Sequence, residues 1–147
     1  MKSLLLVTAL ILFLSCSNET QITPDNLTSI EYGTIFGFTG AVQKITVYAD
    51  KQVYQPSQQS SKTCQAPISS SEWNELRKLV DQEALRKVKV GEEGVCFDAS
   101  SAWIIVRNSG KEEKAFWGPC TGGDPTGIQP LIEAMGKLRG SIAKNCN

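Results

Sequence analysis

The chain has 147 residues, 41% of them hydrophobic and 20% charged, which suits one domain with a buried core. Its 15 basic and 15 acidic residues cancel, and that argues against a general nucleic-acid binder, whose binding face carries a basic excess. Histidine is absent from the sequence, which removes the commonest general base and the commonest metal ligand together.

The first element in chain order is a leader. Met1-Lys2 is a short positive segment, and Ser3 to Leu14 is an uncharged, mostly apolar run. That run is shorter than the roughly 20 apolar residues a membrane-spanning helix needs, and polar sequence follows it, as in a signal peptide. The stretch Phe13-Leu14-Ser15-Cys16 resembles the lipobox of bacterial lipoproteins, in which a small residue precedes a cysteine that becomes the acylated N-terminus. Ser15 fits the small position and Cys16 the lipidated one, while Phe13 and Leu14 depart from the commonest pattern of leucine followed by a small residue. The resemblance implies a signal peptide over residues 1–15, a lipid bilayer as partner through Cys16, and a place in the cell envelope. Ser17 replaces the aspartate that typically retains lipoproteins in the inner membrane of Gram-negative bacteria, which by the same resemblance implies the outer membrane. Plain secretion is the alternative, because Ser15-Cys16-Ser17 also reads as a small-x-small cleavage site.

Residues 16–29 read as a flexible tether: polar, interrupted by Pro24, and without hydrophobic periodicity. A single α+β domain is expected over residues 30–147. A strand with a kink at Gly33 or Gly37 opens it, followed by the alternating segment around Val42, Ile45 and Val47 and by a short strand at Gln52–Gln55. Residues 57–67 read as a polar loop. Ser69 with Glu72 has capping-box spacing and starts a helix whose stripe is Trp73, Leu76 and Val80, with a break near Asp81 and a short turn packing Leu85 and Val88. Two strands flank the hairpin signal Asn108-Ser109-Gly110. The closing helix runs from about Ile128 to Ala143, with Pro130 in its first turn and an apolar stripe of Ile128, Leu131, Ile132, Met135, Leu138 and Ile142. The expected fold is an antiparallel sheet of about four to five strands with two helices, stapled by two disulfides.

Once Cys16 is lipidated or cleaved away, four cysteines remain. Cys96 and Cys120 flank the hairpin nearly symmetrically and are expected to bridge its open end, enclosing about 25 residues for about 3 kcal/mol. Cys64 would then join Cys146, the favoured one of the three connectivities that four cysteines allow. The spacings contain no C-x-x-C pair, so no metal or other cofactor is expected.

Several motifs reduce to ordinary structure. Thr121 to Gly127 precedes a helix but lacks the ending of a phosphate-binding loop, and Ser141-Ile142-Ala143-Lys144 matches S-x-x-K without the companion motifs of penicillin-binding enzymes. Glu92, Glu93 and Asp98 read as a solvated acidic loop. Trp103, Phe116 and Trp117 on the hairpin read either as core or as an exposed platform for an envelope protein or a glycan, and they are the candidate binding surface. The segment from Cys96 to Cys120 also resembles, loosely, a stretch of uncharacterised bacterial envelope proteins; the likeness covers about a sixth of the chain and implies a fold and no activity. The expected function is that of a membrane-anchored envelope lipoprotein with a non-enzymatic binding or structural module and no assigned catalytic residue. The alternatives are a small hydrolase-type enzyme and a secreted protein inhibitor.

Overall fold

The computed structural model describes residues 22–57, 62–88, 99–119 and 122–146. Its strands are β1 (Leu27–Phe36), β2 (Ala41–Val47), β3 (Lys51–Gln55), β4 (Cys64–Pro67), β5 (Ser101–Asn108) and β6 (Glu112–Trp117), and its helices are α1 (Ser70–Lys78), α2 (Gln82–Lys87) and α3 (Gln129–Lys144). The strands form one antiparallel sheet in the order β4-β3-β2-β1-β5-β6. The α+β class therefore stands, with six strands in place of four or five and three helices in place of two among the described residues. The added strand is β4, in a stretch read as loop: its four residues pair with β3, with Tyr54 opposite Cys64 and Lys51 opposite Pro67. Pro67 is tolerated because β4 is an edge.

The chain packs from Ile22, which is buried with Leu27 in the main core, and a 3₁₀ turn at Pro24–Asn26 leads into β1. Residues 22–29, read from sequence as part of the tether, thus belong to the packed domain. Two buried aliphatic side chains outweigh the polar residues around them.

Local signals account for the helix boundaries. The Ser69 hydroxyl accepts from the Glu72 N–H at 3.2 Å, and the Glu72 carboxylate accepts from the Ser69 N–H at 2.9 Å, closing the capping box. Asp81 is extended and its side chain accepts from the Ala84 N–H at 2.9 Å, so it separates α1 from α2 and caps the second helix. Pro130 sits in the first turn of α3, where its missing N–H costs no helical bond. In the β5–β6 hairpin, Asn108 Oδ1 accepts from the N–H groups of Gly110 and Lys111 at 3.2 and 2.9 Å.

Alternation divides the sheet into two faces. Ile30, Tyr32, Ile45, Val47, Ile104, Val106 and Ala115 meet Trp73, Leu76, Leu85, Ile128, Leu131, Met135 and Ile142 from the helices in the main core. At its margin Cys64 is bonded to Cys146, with Cα atoms 5.7 Å apart, tying β4 to the residues after α3. This is the one disulfide among the described residues; Cys96 and Cys120 lie outside them, as does Cys16.

Candidate functional site

The other face of the sheet carries a second apolar cluster, whose described members all lie on strands: Val42, Trp103 and Ile105 are buried, with Ile35 and Phe116 packed against them. Its centre is set by register. β1 and β5 place Gly33 opposite Trp103, and β5 and β6 place Trp103 opposite Phe116. The indole lies over Gly33 so closely that a Cβ there would overlap its six-membered ring. The sequence predicts a kink or bulge at Gly33 or Gly37, but β1 is continuous through Gly33, ends at Phe36, and has its irregularity between Leu27 and Ser29. The missing side chain makes room for Trp103, which is 7% exposed. Phe116 stacks beside it with ring centroids 6.3 Å apart and planes 27° apart.

A charged network borders this cluster. Trp103 Nε1 donates to Glu31 Oε1 at 3.0 Å, and Arg107 Nη1 donates to Glu31 Oε2 at 3.3 Å, with Lys44 Nζ 3.7 Å from the same oxygen. Arg107 Nε donates to Glu112 at 2.6 Å, and Lys114 approaches the other Glu112 oxygen at 2.9 Å. Lys114 first, and Arg107 after it, hold the Glu112 carboxyl below its ordinary value against a partial burial that raises it. Glu31 is a buried carboxylate with a partner on each oxygen, the condition under which a charge survives away from water.

The three hairpin aromatics do not form one platform. Phe116 and Trp117 are neighbours in a strand and must point to opposite faces. Trp117 lies on the helix side, parallel to Tyr32 with centroids 6.3 Å apart and planes at 7°. The Arg139 guanidinium sits 4.7 Å from the centre of the same Tyr32 ring, and its Nη1 donates to Thr34 Oγ1 at 3.1 Å. Trp103 is core, and Phe116 and Trp117 are half-buried on separate faces. Period-two alternation separates the aromatics from sequence alone, whereas the partners Glu31, Arg107, Tyr32 and Arg139 come from non-local register and carry no motif.

A cleft of about 380 Å³ lies between α2 and the turn before α3, lined by Asp81, Glu83, Ala84, Lys87, Asp124 and Gly127. Its perturbed groups are fixed as charges. The Thr126 hydroxyl and N–H hold the Asp124 carboxyl below its ordinary range, and Glu83 raises the Lys87 ammonium above its own. Both shifts lead away from neutrality, whereas a general acid or base works best with its pKa near ambient pH. Ser141 and Lys144, the S-x-x-K pair, fall on the exposed side of the last turns of α3. Glu92, Glu93 and Asp98 lie outside the described residues. Among the described residues no group of three acidic, cysteine or histidine side chains is placed to hold a metal ion.

No protein-family profile matches this chain, and no curated protein is significantly similar to it.

Proposed function

We propose that the chain is a membrane-anchored envelope lipoprotein whose α+β domain is a binding or structural module. The observation that carries this reading is the leader, a positive start and an apolar run ending at Ser15-Cys16-Ser17, ahead of a domain that packs from Ile22. An acyl group on Cys16 would hold the domain at a bilayer, on the outer membrane by the residue that follows, with an envelope protein or a glycan as the further partner. In the same reading Cys96 and Cys120 form a second bridge across the open end of the β5–β6 hairpin, where Ala102 already pairs with Trp117.

The test is the intact mass of the mature protein extracted from membranes, with and without reduction. The expected mass starts at Cys16, carries a diacyl- or triacylglyceryl group, and rises by the hydrogens of two disulfides on reduction. Cys16→Ser should release the protein from membranes or leave the precursor unprocessed. Normal processing with unchanged membrane retention would overturn the lipid anchor, and peptide mapping that joins Cys96 to any residue but Cys120 would overturn the second bridge.

A further inference from the structure

The β1–β2 hairpin ends in an apolar tip that the core does not use. Phe38 is 91% exposed and Phe36 39% exposed, and no residue from Gly33 to Gln43 is charged. The other large exposed hydrophobic residues, Tyr48 and Leu79, sit beside charge: the Lys51 ammonium is 5.7 Å from the centre of the Tyr48 ring, and Lys78 precedes Leu79. Isolated exposed hydrophobic side chains are ordinary, but two phenylalanines on one uncharged turn are a patch. The turn is also held in shape. The Gly40 N–H donates to the Phe36 carbonyl at 2.7 Å, the Ala41 N–H donates to Thr39 Oγ1 at 3.2 Å, and Gly40 supplies the left-handed residue at φ +61°. These bonds pair the Gly40 and Ala41 N–H groups within the turn.

We propose that this tip is a second bilayer contact, in which Phe36 and Phe38 seat at the headgroup–acyl boundary of the membrane that holds the chain. The proposal rests on the anchored reading for the nearness of that membrane. β1 is about 30 Å long, so the tip lies that far from where the chain enters the strand at Leu27. Ile22 is already packed in the core and residues 24–26 form a turn, so six residues separate Cys16 from the domain, a reach of about 20 Å when extended, and anchor and tip can meet one surface when the strands lie along it. Two phenylalanines are a weak membrane signal for a freely diffusing protein, as a single short acyl chain is. On a tethered chain the contact is intramolecular in effect, and a weak tip suffices to set orientation. The turn residues themselves carry no charge, with the Arg139 guanidinium reaching Thr34 at the base of the hairpin, so the apolar contact should depend only weakly on salt.

The experiment uses the full chain extracted from membranes and reconstituted into phosphatidylethanolamine–phosphatidylglycerol vesicles containing spin-labelled lipid. A fluorophore is placed at Phe38→Cys or, in the turn at the other end of β2, at Tyr48→Cys. Quenching is expected at position 38 and not at 48, and Phe36→Ser should lower the ratio of seated to free tip at 38 about tenfold. Equal quenching at both positions, or none at 38, overturns the proposal. A photo-crosslink from position 38 to a protein in intact cells, with none to lipid, also overturns it and assigns the tip to an apolar pocket instead. The intact mass of the same sample reports separately on Cys16. If no lipid is present, the anchored reading fails, and quenching at 38 on the unlipidated chain still decides whether the tip meets the bilayer.

Discussion

The two faces of the sheet solve one problem by different means. On the helix side, Ile30, Ile104 and Leu131 are fully buried because α1, α2 and α3 lie over the strands. On the other side Trp103 is almost as dry, at 7% exposed, in a cluster assembled from strand residues. Among the described residues, one large ring laid on a glycine, edged by Phe116 and tied at its nitrogen to Glu31, is the centre of that cluster. A helix stripe spreads its burial over many side chains. The second cluster concentrates it in one residue and is correspondingly vulnerable to single substitutions.

The sharpest test of that comparison sets Trp103→Ala against Met135→Ala. Removing the indole should cost about 3–5 kcal/mol, at least as much as losing Met135 from the main core, at about 2–5 kcal/mol. Urea unfolding measures both, and a loss under about 1 kcal/mol for Trp103→Ala would make that side an ordinary surface. A smaller effect separates two glycines. Gly33→Ala should destabilise by about 1–3 kcal/mol, because the new methyl displaces the indole. Gly136→Ala, where a Cβ meets open space on α3, should stabilise by up to about 1 kcal/mol. If both changes have the same sign, the close approach of Trp103 to Gly33 is not what fixes residue 33. The smallest effect is electrostatic. Glu112 and Glu72 have folded-state pKa values depressed below the ordinary 4.5, by Lys114 and Arg107 and by Ser69 respectively. A depressed carboxyl contributes stability that is fully present above its unfolded value and is lost as pH falls through the folded one. Stability should therefore decline below about pH 4.5, and Lys114→Met should make that decline shallower. An unchanged acid limb would remove Lys114 from the account.

Much of the helix layer was legible before any coordinates. Ser69 with Glu72, the break at Asp81, Pro130 in a first turn and the stripe of Ile128, Leu131, Met135 and Ile142 are local signals, and each stands where it was read. The Asn108-Ser109-Gly110 hairpin and the Cys64–Cys146 bridge were legible too. β4 was not, because four residues in a polar stretch carry too little alternation to declare a strand, and its pairing with β3 is a tertiary fact. Gly33 misled because a glycine in a strand signals both a bulge and a close approach, and only the partner strand decides between them. The hairpin aromatics are visible in the sequence, but Phe116 and Trp117 are adjacent strand residues and face apart, so they cannot share one surface. Their charged partners were invisible, since Glu31 and Arg107 lie 76 positions apart and meet only through the β1–β5 pairing.

That pairing has a kinetic side. β1 to β4 form a meander, each strand next to its predecessor, so their contacts close over short stretches of chain. β5 must instead return from beyond two helices to lie along β1, matching Ile30 with Val106 and Gly33 with Trp103. Nearly all the long-range closure entropy of the sheet falls on this one junction. Until it forms, the free edge of the meander is β1, a ten-residue strand whose middle is uncharged on one side. Such an edge invites pairing with another chain. The ordering of the strands therefore makes the arrival of β5 the step that both completes the sheet and removes its most adhesive border, and a cell producing this protein has most reason to guard it in that interval.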